Sequence, residues 1–71
     1  MRYAVVIGTA GAGCSGYVPD LPGCVAAGAT VARVRALLKA AIPFHIEGLK
    51  AGGEAVPLPD SAVEWVEVQG A

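Results

Sequence analysis

Residues 17–24 read Tyr17-Val18-Pro19-Asp20-Leu21-Pro22-Gly23-Cys24, and the two prolines in this octet organise the chain around it. Leu21-Pro22-Gly23-Cys24 fits a type II turn, since proline presets the second position and glycine takes the positive φ of the third. Each proline also pushes the residue before it, Val18 or Leu21, into extended geometry. A strand over residues 14–19 therefore enters the turn, and a short strand over 24–28 leaves it. Asp20 reads most simply as a turn residue whose carboxylate satisfies local backbone N–H groups, with an interface role as the alternative.

Upstream, Gly11-Ala12-Gly13-Cys14-Ser15-Gly16 matches the dinucleotide-binding pattern G-x-G-x-x-G. That pattern works only when it opens a helix and an acid follows about 20 residues on. Here Pro19 and Pro22 prevent the helix, and Arg33 to Lys39 occupy the place of the acid. No nucleotide site is expected. The glycines read instead as a hairpin connection over residues 8–13, preceded by a buried strand over 2–7 rich in β-branched and aromatic residues.

Downstream, Thr30 is a candidate N-cap for a helix running to about Lys50, where Gly52-Gly53 stops it. Arg33 stands where a capping box would place Glu, so this helix start is weak. Val31, Val34, Leu38, Ile42, Ile46 and Leu49 share one face, the stripe that packs on a sheet. Pro43 falls opposite that stripe, which continues in phase through it; this predicts one kinked helix. Leu37, Ala41, Phe44 and Gly48 form a second set that one sheet does not cover. Leu37 and Phe44 are therefore candidate contacts with a partner or second copy, packing beneath a loop being the alternative.

Residues 54–61 read as an extended linker, and residues 62–68 as a fourth strand. Its alternation slips between Trp65 and Val66, which predicts a bulge or burial on both faces. Trp65 and Val66 join the candidate interface residues. The order strand, strand, strand, helix, strand predicts an α+β, two-layer β-β-β-α-β domain spanning residues 1–71. An antiparallel three-stranded meander is followed by one long helix and a fourth strand, with the helix on one face and the other face left for association.

The chain has 71 residues, 55% hydrophobic and only 15% charged, so as a monomer it should expose apolar area. Self-association into a dimer or tetramer is the expected remedy. With a formal net charge of −1 and five dispersed cations, it lacks the basic stripe of a nucleic-acid binder. No signal peptide or membrane span is legible, and a cytoplasmic location is expected. Cys14 and Cys24 lie at opposite ends of the central hairpin, out of disulfide reach. His45 is the single histidine, and no nucleophile is tied to it by sequence. The carboxylates Asp20, Glu47, Glu54, Asp60, Glu64 and Glu67 are too scattered to converge on metals. The expectation is a protein with no cofactor, no metal and no enzymatic activity.

The stretch "GYVPDLPGCVAAGAT" (16–30), with "AAIPFHIEGLKAGGEAVPLPDS" (40–61), resembles the HicB-type antitoxin domain over most of the chain. Tyr17, Pro19, Asp20, Pro22 and Gly23 carry the most specific part, the signature turn. The resemblance implies a partial ribonuclease-H-like fold that has lost its metal-binding acids. It further implies a self-associating domain that binds and neutralises a small HicA-type toxin that cleaves messenger RNA. The alternative is a stand-alone homo-oligomer without a toxin. Full-length family members often continue into a DNA-binding module, and none is expected within these residues. Ala29 replaces a commonly acidic position, and Pro43 a typical helix former.

Overall fold

Val18, Leu21 and Cys24, every third residue of the signature turn, are buried, and the rest of the molecule is assembled around them. The structure, a computed structural model, describes residues 1–70. It contains β1 (Val6–Ala10), β2 (Gly13–Tyr17) and β3 (Val25–Gly28), then one helix, α1 (Val31–Ala51). The strands form an antiparallel sheet in the order β1-β2-β3. α1 packs across all three strands.

The first strand lies further along the chain than residues 2–7. Its partner β2 leaves the ladder after Tyr17, which pairs with Val6, so residues before Val6 have nothing to pair with. At the other end the ladder continues to Ala10 opposite Gly13, leaving only Gly11 and Ala12 as the loop. Gly11 has φ 59° and no non-glycine residue among those described has positive φ, the pattern of a II′ hairpin. The second strand likewise ends at Tyr17 instead of residue 19, because the Val18 N–H turns to the Cys24 carbonyl at 3.1 Å.

Gly16 is a point of close approach between sheet and helix. A Cβ there would sit 2.9 Å from the Val6 carbonyl oxygen and 3.0 Å from both Ile7 Cγ1 and Val34 Cγ1. The glycine-rich run thus serves a hairpin and close layer packing.

α1 begins as expected. Thr30 is extended (φ −136°, ψ 161°), and its Oγ1 accepts the Arg33 N–H at 3.1 Å. A cap of this kind contributes about 1 kcal/mol, and no acid in the first turn adds to it. The far end is a Schellman motif: Gly53, at φ 72°, donates to the Lys50 carbonyl at 3.0 Å, and Glu54 to that of Leu49 at 2.9 Å. Pro43 is exposed and the helix runs through it. Val34 and Leu38 are fully buried, and Ile42, Ile46 and Leu49 pack against them. Val31, although in phase with that stripe, stays exposed at the first helical position.

The fourth strand expected over residues 62–68 does not form in the single chain. Those residues have no ladder partner and every one is exposed. One helix covers one face of this sheet, whereas the segment carries apolar residues on both of its faces; a lone copy offers cover for only one. The molecule is accordingly elongated, 49 × 26 × 16 Å, with a radius of gyration of 14.0 Å. A compact domain of this length would have a radius of about 11 Å. The accessible surface of 5428 Å² exceeds by about 1,300 Å² the roughly 4,100 Å² of a compact monomer of this mass.

Candidate interaction surface

The signature turn consists of two successive reverse turns, each with proline in second position. Leu21 donates to the Val18 carbonyl at 3.1 Å, and Cys24 donates to the Leu21 carbonyl at 3.1 Å. Gly23 has φ 85°, as a type II turn requires. Burial repeats every third residue: Val18, Leu21 and Cys24 are buried, while Pro19, Pro22 and Gly23 are exposed and Asp20 is half-buried. Tyr17, at the entrance, is also exposed. Leu21 thereby plugs the core while the prolines present a rigid outer edge.

Asp20 does not serve its own turn. Its Oδ2 accepts the Ser61 backbone N–H at 3.1 Å, and its Oδ1 accepts the Ser61 hydroxyl at 2.8 Å. The Tyr3 hydroxyl donates to the Pro57 carbonyl at 2.6 Å. Together these bonds strap the proline-rich segment across the end of the sheet where β1 begins. The Ser61 bonds hold the Asp20 carboxyl below the usual aspartate range. Asp60 lies beside it, and its hydrogen bond and charge repulsion with Asp20 push the Asp60 carboxyl up. Nothing in the sequence marked this clasp, because its two ends are 41 positions apart.

On the sheet face turned away from α1, the register lines up Val6, Tyr17 and Val25 in one row across all three strands. All three are exposed. The next row is Gly8, Ser15 and Ala27, so this face is flat, small and free of charge. Sequence reading left this face open for association without identifying the row, since register decides which residues align. The signal available was the alternation Val6–Gly8 and Ser15–Tyr17 once the hairpin loop is fixed at two residues.

The four candidate interface residues fall in two places. Phe44 projects from the side of α1 at 83% exposure, while Leu37 on the same side is half-buried. Trp65 and Val66 lie on the segment after the clasp, at 92% and 83% exposure. Two of them thus sit on α1 and two on the segment after the clasp.

His45 is half-buried beside the signature turn; a Cβ at Gly23 would lie 3.8 Å from its Cε1. Cys14 and Cys24 are both free thiols, and burial pushes the Cys24 thiol up. Among the described residues, no three His, Cys, Asp or Glu side chains converge where they could hold a metal ion. Nor is any helix among them long and apolar enough to cross a membrane.

This architecture is similar to proteins already described. A family model for the HicB-like antitoxin of bacterial toxin–antitoxin systems matches residues 3–70. An uncharacterised 14.9 kDa protein from the rep–hol intergenic region of Haemophilus phage HP1 (strain HP1c1) is 35% identical over 66 residues. The matched region is 93% of this chain but 50% of the phage protein, so the chain spans about half the length of that relative. Among solved structures, a chain of the HicA3 and HicB3 toxin–antitoxin complex is similar at a TM-score of 0.71 and 35% identity. The match covers 84% of this chain and 70% of that one.

Proposed function

The chain belongs to the HicB-like antitoxin family, and from that membership we propose that it binds and neutralises a small HicA-type, mRNA-cleaving toxin through protein–protein contacts. The observation that carries this reading is the likeness to a chain of the HicA3 and HicB3 complex at 35% identity. The flat, uncharged sheet face around Tyr17 supplies a surface that a protein partner can cover without desolvating charge. The mechanism is steric masking: the domain contributes no catalytic group, and inhibition follows from occupying the surface where the toxin meets RNA. The cytoplasm, where messenger RNA is cleaved, is the proposed site of action.

Co-expression with a small, basic HicA-type protein encoded beside it tests the proposal. Growth rescue and co-purification are expected, and Tyr17→Glu should abolish both while leaving helical circular dichroism intact. Normal toxicity of that protein in the presence of the wild-type chain overturns the reading. RNA cleavage by the purified chain alone, lost in Asp20→Ala or His45→Ala, overturns the non-catalytic part.

A second reading is favoured by the surface excess of about 1,300 Å² over a compact monomer. The chain self-associates, as a dimer or tetramer, with or without a toxin. The partial ribonuclease-H-like sheet belongs to this second reading, since it needs residues 62–68 as a fourth strand.

A further inference from the structure

We propose that residues 62–68 act as an exchanged strand: in a dimer, each copy lays this arm along the free edge of β1 in the other copy. The inference deepens the self-association reading and rests on it. It is independent of whether a toxin is bound.

Four observations carry it. The first is placement. The Asp20–Ser61 clasp and the Tyr3–Pro57 bond deliver the chain to the end of the sheet where β1 begins. Arg2, Tyr3, Ala4, Ser61 and Val63 line one open groove there, beside the edge of β1 that β2 leaves unpaired. The second is length. Seven extended residues span about 23 Å, enough to cover the five residues of β1 and those just before it.

The third observation is the side-chain pattern. On a regular strand Val63 and Trp65 face one way, and Val66 and Val68 the other. All four are exposed in the single copy. A strand apolar on both faces needs cover on both, but each copy has only one helix, on one face of its sheet. A second copy supplies the missing layer.

The fourth observation is the approach to the arm. Pro57 and Pro59 hold Val56 and Leu58 extended, so the segment leading to the clasp is stiff and fixes where the arm leaves its own sheet. An arm that is unpaired in its own copy, beside an unpaired edge, is the arrangement from which reciprocal exchange closes a two-fold dimer. The surplus surface of about 1,300 Å² per copy is enough for an interface needing about 800 Å² from each partner.

The test uses the full chain in a mixed sample, half isotope-labelled and half unlabelled, read by isotope-filtered NMR. Exchange predicts a dimeric sedimentation mass and intermolecular contacts from Trp65 and Val66 to residues 2–8. Val66→Pro and Glu67→Pro delete amides on opposite edges of the arm, and the one facing β1 should weaken the dimer about tenfold or more. Helical circular dichroism should not change in either, because residues 62–68 contribute nothing to the buried core. A dimer that survives both prolines and shows no such contacts overturns the exchange while leaving self-association standing. A monomer whose arm contacts residues 2–8 of its own copy overturns both.

Discussion

Leu21→Ala isolates the contribution of the signature turn to the fold. Leu21 is fully buried and lies in a core with only four other buried residues, Val18, Cys24, Val34 and Leu38. Alanine keeps both backbone bonds of Leu21, to Val18 and from Cys24, so the substitution removes packing alone. Truncating a buried leucine costs about 2–5 kcal/mol. A chain of this length has a total stability of roughly 4–10 kcal/mol. A loss near 3 kcal/mol should lower Tm by roughly 10–25 °C. The assay is thermal and urea unfolding followed by helical circular dichroism, at one fixed protein concentration because association adds to apparent stability. Pro22→Ala is the control: it changes an exposed residue in the same turn and should cost no more than about 1 kcal/mol, mainly through the unfolded chain. A Leu21→Ala loss below about 1 kcal/mol, or one smaller than that of Pro22→Ala, would refute the view that this turn plugs the core.

Gly16→Ala should destabilise by about 1–3 kcal/mol, since the new Cβ meets the Val6 carbonyl oxygen at 2.9 Å and backbone cannot give way as a side chain can; unchanged urea midpoints would contradict this. The Ser61 amide, followed by hydrogen exchange, should be fully protected by the clasp above pH 3.8, the ordinary aspartate value, and lose that protection as pH falls through the depressed Asp20 value. Asp60 has the opposite sign: its raised carboxyl favours the folded state in acid and opposes it as pH rises through the folded value, so Asp60→Asn should strengthen the clasp at neutral pH. Faster Ser61 exchange in Asp60→Asn would reverse that assignment. Phe44→Glu places a charge on an exposed apolar site of α1 and should shift sedimentation toward monomer with helix content retained; an unchanged mass removes Phe44 from the self-interface.

The local elements were legible because short-range chemistry determines them. Pro22 and Gly23 dictate a type II turn, Thr30 caps a helix, and Gly53 ends it, whatever the rest of the chain does. The apolar phase through Val34, Leu38, Ile42 and Ile46 identified the buried helix face despite Pro43. Strand limits were less legible. Residues 2–5 have strand composition, but a strand exists only where a partner backbone lies opposite, and β2 turns away after Tyr17. The same rule separates residues 62–68, with strand chemistry and no ladder, from β1 to β3.

What the amino-acid sequence determined by itself was the turn, the three-strand and helix order, the family signature and the surplus of apolar residues. Each depends on neighbours within a turn or two, or on composition. Tertiary structure alone decided that Asp20 bonds Ser61 and that Val6, Tyr17 and Val25 share one open row. These are relations between residues far apart in the chain. They depend on strand register and on where a long helix returns the polypeptide, and no local preference encodes either one.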